Sequence, residues 1–281
     1  MEPAAFSINP FHRQHIAPIN KAPTSMELNY KVFGEGDPVV IIHGLFGTLD
    51  NWQTVAKKLS ENFMVFIIDL RNHGRSPHND EFSYEIMAND VEEFMESNWI
   101  YEAHIVGHSM GGKVAMQLAS NNADLVRKLV LVDMAPKTYE GSHEAIFQAM
   151  FDLDLPTLKS RKEADEQMLE KVPAYGVRQF LIKNLSLNKN TQQYEWKLNL
   201  PVIYKNYEHI LQYNPIYHPY NGPTLFIKGG TSNYILLEEL EQYRQYFPQA
   251  TIETIPKAGH WVHAEQPVLF LEALTRFLKE D

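Results

Sequence analysis

The hexapeptide Gly107-His108-Ser109-Met110-Gly111-Gly112 constrains the fold of this chain more than any other feature. A serine lies between glycines, after the apolar run His104–Val106 and before Met110–Ser120, which is rich in helix formers. A serine held on a sharp strand-to-helix turn needs small neighbours on both sides. The helix that follows directs free N–H groups and its positive end at that turn. A Gly-Ser-Gly cluster can also be a plain turn, but the strand before it and the helix after it favour a nucleophile on an elbow.

The rest of the chain supplies a sheet on which such an elbow can sit. Val39–Ile42 is a continuous β-branched run, the pattern of a strand buried on both faces. Met64–Leu70, His104–Val106, Leu129–Val132 and Thr224–Lys228 repeat it. Glu27–Phe33 alternates with period two, and Ala250–Ile255 reads as a further strand. Asn51–Ser60 and Tyr84–Ser97 carry apolar residues at helical spacing. Strands alternating with helices imply an α/β fold with a mostly parallel sheet covered on both faces, and ligands bound beyond the carboxyl ends of the strands. The alternation fails between Met134 and Gly222, where Leu153–Leu169, Gly176–Asn184 and Leu200–Leu211 read as helices and strand returns only at Pro223. The expected organisation is a core of residues 26–133 and 223–281 with a helical cap inserted at 134–222. Residues 1–25, with four prolines and no clear period, read as a leader or flexible extension.

A serine hydroxyl is a weak nucleophile until a histidine takes its proton. Among 12 histidines, His260 follows the final strand, in Ala258-Gly259-His260-Trp261, where the base of such an arrangement belongs. His263 reads as a lining or surface residue, and His108, beside the nucleophile, as a packing residue. His43-Gly44-Leu45-Phe46-Gly47 follows the first buried strand, so the Leu45 and Met110 N–H groups are the expected oxyanion donors. His43 reads as a strut beneath that loop.

The acid is displaced from its common position. After Thr224–Lys228 the chain reads Gly229-Gly230-Thr231-Ser232-Asn233-Tyr234, with no carboxylate before Glu238. Asp133, at the tip of the preceding strand, is the expected acid, against the alternative that it only caps the start of the insertion. Glu238 is held in reserve, and Glu265 lies beyond the histidine. Asp69-Leu70-Arg71-Asn72-His73-Gly74-Arg75-Ser76 also ends a strand at the ligand face and reads as a loop held by its own polar contacts. Pocket candidates are His43, Phe46, His108, Phe147, Phe151 and Trp261. Leu153, Phe180, Trp196 and Tyr204 lie at helical spacing and serve either a pocket or packing of cap on core.

Composition narrows the class further. With 281 residues, 44% hydrophobic and 21% charged, the chain has ordinary globular values. A net charge of -10 gives no support to a nucleic-acid partner. The absence of cysteine excludes disulfides and thiolate chemistry and fits a reducing, cytoplasmic setting. No stretch approaches the roughly 18 uninterrupted apolar residues of a membrane span. The chemistry needs no metal or cofactor, only a small-molecule ester, and the chain carries no signal of oligomeric state.

Five motifs in order resemble one family. They are His43–Gly47 with Asp50-Asn51-Trp52, Asp69–Ser76, Gly107–Lys113, Asp133-Met134-Ala135-Pro136 and Gly259-His260-Trp261-Val262-His263-Ala264-Glu265. From about Met26 onward the chain resembles the YbfF-type esterases of the α/β-hydrolase fold. The resemblance implies a serine carboxylesterase acting on short to medium acyl esters, and on thioesters, beneath a helical cap. It also implies that the acid follows the sixth strand of the fold, which is Asp133 here. Two rivals stand beside it. An acyltransferase would use the same triad with an alcohol acceptor, and a non-catalytic binding protein would reuse the fold without the chemistry.

Overall fold

The computed structural model describes residues 26–280, so the leader reading of residues 1–25 lies outside the described residues. Seven strands form one sheet: β1 (Tyr30–Phe33), β2 (Pro38–Ile42), β3 (Met64–Ile68), β4 (Ala103–His108), β5 (Val126–Val132), β8 (Thr224–Gly229) and β9 (Ala250–Ile255). Between β5 and β8, β6 (Leu185–Leu187) and β7 (Tyr194–Trp196) form a separate antiparallel pair. The sheet order is β1-β3-β2-β4-β5-β8-β9, with β1 antiparallel to β3 and all other pairings parallel. The helices are α1 (Gln53–Leu59), α2 (Tyr84–Ser97), α3 (Met110–Asn121), α4 (Glu144–Phe151), α5 (Arg161–Met168), α6 (Tyr175–Ile182), α7 (Leu200–Lys205), α8 (Tyr207–Leu211), α9 (Leu240–Tyr243), α10 (Val262–Glu265) and α11 (Pro267–Lys279).

Successive side chains of a strand point to opposite faces, and β2 shows the result. Val40 and Ile42 pack with Phe94 and Met95 of α2 and Val114 and Leu118 of α3. Val39 and Ile41 pack on the other face with Val55 and Leu59 of α1 and Phe270 and Leu274 of α11. Both faces are thus covered, and β2, β4 and β5 are buried along almost their whole length. Among the described residues no helix is long and apolar enough to cross a membrane.

Several boundaries differ from the sequence expectation for identifiable reasons. The first strand begins at Tyr30 rather than Glu27, because Asn29 is engaged by the loop after β3: its N–H donates to Ser76 Oγ and its amide to Asp69 Oδ2. β3 stops at Ile68, and the Leu70 N–H turns to His43 Nε2. The helix expected over Leu153–Leu169 is interrupted: residues 153–160 form turns around Pro156, and α5 starts where Ser160 Oγ accepts the Glu163 N–H. Leu200–Leu211 is two short helices that meet at Asn206. The β6–β7 hairpin was not expected, since three-residue strands such as Leu-Ser-Leu and Tyr-Glu-Trp are too short to show a period.

The segment between β5 and β8 is tied to the rest at defined points. Asn184 donates to the Phe46 carbonyl at 2.8 Å and the Asn199 N–H to the Asn72 carbonyl at 3.0 Å. Lys113, buried on α3, donates to the carbonyls of Ile210, Leu211 and Gln212 at 3.3, 3.1 and 2.6 Å. These groups end α8, where the helix dipole favours a cation. Burial nevertheless pushes the Lys113 amine down to about 7.

Five buried imidazoles make the fold sensitive to acid. Burial disfavours the charged ring, lowering His43 and His104 to about 4 and His73 and His263 to about 3. His108 is lowered well below its ordinary value by the same cause. Between those values and the ordinary 6.5 the unfolded chain binds more protons than the folded one. Stability is therefore full above pH 6.5 and is lost as pH falls toward 4. We expect the urea midpoint to drop steeply between pH 7 and pH 5; a midpoint that stays level would contradict neutral buried rings.

Candidate active site

Ser109 stands at the junction of β4 and α3 with φ 53° and ψ -122°, a strained backbone for a residue with a side chain. The glycines around it are there because the chain passes too close for a Cβ. One added at Gly107 would lie 2.3 Å from the Gly111 carbonyl oxygen, and one at Gly111 would lie 2.4 Å from that of His43. The same close approach brings the His43–Gly47 loop against the elbow, where a Cβ on Gly44 would meet Ser109 Cβ at 2.9 Å. Leu45 follows Gly44 in this loop, and Met110 opens α3; both line the same cavity as Ser109. His43 lies beneath the loop. Its Nε2 accepts the Leu70 N–H at 3.0 Å, so its proton is on Nδ1, which donates to the Gly44 carbonyl at 2.8 Å.

Gly111→Ala tests this packing. The methyl group meets the backbone carbonyls of Ile42 and His43 at 2.5 and 2.4 Å, so the substitution should destabilise the fold by about 1–3 kcal/mol and displace the Leu45 loop. Urea denaturation and turnover of a p-nitrophenyl ester measure the two effects; an alanine variant with unchanged values for both would show that the contact is not tight.

Asp133 follows β5, has φ 46° and is wholly buried. Its Oδ1 accepts the Gly229 N–H at 3.0 Å, and its Oδ2 accepts the Ser232 hydroxyl at 2.5 Å and the His260 Nδ1–H at 2.8 Å. A carboxylate only accepts, so the ring proton of neutral His260 is on Nδ1 and Nε2 keeps its lone pair. The ring lies flat on Tyr234, 3.8 Å between centroids. The loop that carries it is fixed from both sides. His108 Nε2–H donates to the His260 carbonyl at 2.9 Å, and Glu265 accepts the N–H groups of Gly259 and Trp261. Both oxygens of Glu265 are therefore engaged by the loop, and Glu238 is exposed on the turn before α9.

The loop after β8, where sequence reasoning found no carboxylate, holds the seat for Asp133. It supplies Gly229 N–H and Ser232 Oγ to Asp133 and Tyr234 to His260, and Lys228 beneath it donates to the carbonyls of Gly229 and Ser232. The absence of an acid there was the signal that these residues serve one placed elsewhere. The Asp69–Ser76 loop is held by polar contacts, most of them to neighbouring elements. Asp69 accepts from Leu49, Asn29 and Arg75, and Arg71 forms a buried two-pronged pair with Asp90 at 2.6 and 2.7 Å.

Residues 37–267 match the profile of the alpha/beta hydrolase fold family. The chain belongs to that family. It is 40% identical over 248 residues to the sn-1-specific diacylglycerol lipase ABHD11 of Mus musculus, covering 85% of this chain and 80% of the relative. It is 37% identical to esterase YbfF of Escherichia coli K12, covering 86% and 93%. Among solved structures, a marine microorganism esterase superposes with a TM-score of 0.87 at 41% identity, covering 90% of this chain and all of the other. As in its curated esterase and lipase relatives, the fold here is that of a serine hydrolase.

The hydrolase cavity has a volume of about 680 Å³ and is lined by Leu45, Phe46, Ser109 and His260 and, from the segment between β5 and β8, by Ile146, Val177 and Phe180. His43, His108, Met110 and Trp261 also line it, and the ring of Trp261 lies 5.6 Å from that of Phe180. Two expected pocket residues do not. Phe147 is fully buried behind Phe46, 5.0 Å between rings, so it packs α4 on the loop after β2. Phe151 is 43% exposed and packs on Tyr204 at the outer surface, because the end of α4 turns its ring away from the cavity. Leu153, Trp196 and Tyr204 are likewise absent from the lining. His263 lines the cavity and stacks on Trp52 at 4.0 Å. Sequence reasoning missed His143 and Tyr207, whose place depends on how the segment between β5 and β8 folds back, and the lining role of Tyr234 in the loop after β8.

Proposed function

We propose that Ser109, His260 and Asp133 hydrolyse short to medium acyl esters through an acyl-enzyme on Ser109. The observation that carries this reading is the 2.8 Å bond from His260 Nδ1 to a buried Asp133, on a loop that shares its cavity with a serine at a strained elbow. His260 Nε2 takes the Ser109 proton as the hydroxyl attacks the ester carbonyl. The N–H groups of Leu45 and Met110 hold the oxyanion, each donor contributing on the order of 10²–10³ in rate. His260 then protonates the leaving alcohol, activates water, and the acid departs. The insertion, residues 134–222, acts as a cap whose apolar residues Ile146, Val177 and Phe180 take the acyl chain.

The test is hydrolysis of p-nitrophenyl esters from acetate to palmitate, with added ethanol in a parallel series. Activity that peaks within the short to medium chains and yields mainly free acid supports the reading. Ester formation in excess of hydrolysis at modest ethanol would make the protein an acyltransferase. Failure to cleave any member, together with failure of a fluorophosphonate to label the protein, would reduce it to a binding protein on this fold.

A further inference from the structure

Four imidazoles outside the triad line the cavity, those of His43, His108, His143 and His263. His143 caps the start of α4 and lines the cavity from the insertion side. Its ring packs edge-on against Phe46 and Tyr207, at 6.0 and 5.6 Å between centroids. Its hydrogen bonding fixes where its proton resides. The Tyr207 oxygen accepts two backbone donors, the N–H groups of Ser142 and His143, both at 3.2 Å. With both lone pairs engaged, the phenol hydrogen has one direction left, toward His143 Nδ1 at 2.6 Å. His143 Nδ1 is therefore the acceptor. Burial, with a smaller effect from His260, lowers this imidazole to about 4, so the ring is neutral at physiological pH. A neutral ring that accepts at Nδ1 carries its hydrogen on Nε2, and that N–H forms no hydrogen bond among the described residues.

Four of the surrounding polar side chains, Tyr84, Tyr139, His43 and His108, are already engaged. Tyr84 and Tyr139 donate their hydroxyls to the carbonyls of Ile210 and Tyr234. Both ring nitrogens of His43 are engaged, and His108 Nε2 is held by the His260 carbonyl. A donor pre-aimed by a tyrosine, in a wall otherwise formed by Phe46, Ile146 and Leu211, is a recognition element for an oxygen.

We infer that His143 is a specificity-determining residue whose Nε2–H receives a second acceptor oxygen of the substrate, a hydroxyl or carbonyl outside the scissile ester. The preferred substrates are accordingly oxygenated esters rather than plain alkyl esters. This rests on the esterase reading above. A substrate lacking that oxygen leaves the N–H desolvated and unpaired, which lowers its kcat/KM by about tenfold for one lost hydrogen bond.

Two matched pairs test the inference and locate the oxygen. Glyceryl monobutyrate against propyl butyrate places it on the alcohol side; p-nitrophenyl 4-oxopentanoate against p-nitrophenyl pentanoate places it on the acyl side. Wild type should favour the oxygenated member of one pair by about tenfold, mostly through KM. His143→Phe should bring that ratio to about one, and His143→Gln, which keeps an N–H at similar reach, should restore part of it. Fluorophosphonate labelling of each variant verifies a folded site. If wild type cleaves the esters but both ratios are the same in wild type and in labelled His143→Phe, the inference is overturned and the esterase reading stands. If wild type cleaves none of the four, the esterase reading itself fails.

Discussion

Ser109→Ala should lower kcat for p-nitrophenyl butyrate by on the order of 10⁶, leaving a protein that no fluorophosphonate labels. The variant should fold normally. Alanine and serine bear the same cost at φ 53°, and the Ser109 side chain forms no capping bond at the start of α3, so the hydroxyl contributes chemistry and not support. The comparison needs a burst-free assay and a thermal melt. Residual turnover above a thousandth of wild type in a folded variant would move the nucleophile away from the elbow.

The second large effect is expected from Asp133→Asn, a loss of about 10³–10⁴ in kcat with the fold retained. The argument lies in the three donors that converge on this carboxylate. Gly229 N–H belongs to the backbone and cannot turn away, so the amide must offer its oxygen there and its NH₂ to the other side. That side holds Ser232 and His260. The serine hydroxyl can rotate to accept, but His260 can accept only by moving its proton from Nδ1 to Nε2, the tautomer that cannot deprotonate Ser109. Activity near wild type in Asp133→Asn would exclude this residue as the acid, and Glu238 would be the next to replace.

Much of this was legible in the chain. Val39–Ile42 and Leu129–Val132 announce buried strands because a parallel strand covered on both faces has no polar side to show. The elbow is legible because close backbone approach at Gly107 and Gly111 leaves no choice of residue. Asp133 could be singled out because the loop after Thr224–Lys228 has no carboxylate before Glu238, which leaves the tip of the preceding strand to supply one. The segment between β5 and β8 is less legible. Its helices are short and its hairpin strands hold three residues each, so no period develops. Which face of α4 meets the cavity is decided by tertiary contacts, and Phe147 and Phe151 were assigned to the pocket for lack of them. The supporting residues Ser232 and Tyr234 are invisible for a related reason: nothing in a loop of small polar residues says which distant carboxylate it will embrace.

The amine of Lys113, shared among three carbonyls at the end of α8, has a mechanical consequence. Swinging residues 207–212 outward would strip a buried amine of every acceptor it has there, a penalty of about 1–3 kcal/mol. That seam therefore behaves as a hinge pin. Movement about that seam would act on the other ties to the core, the bond from Asn184 to the Phe46 carbonyl and the ring contact of Phe180 with Trp261.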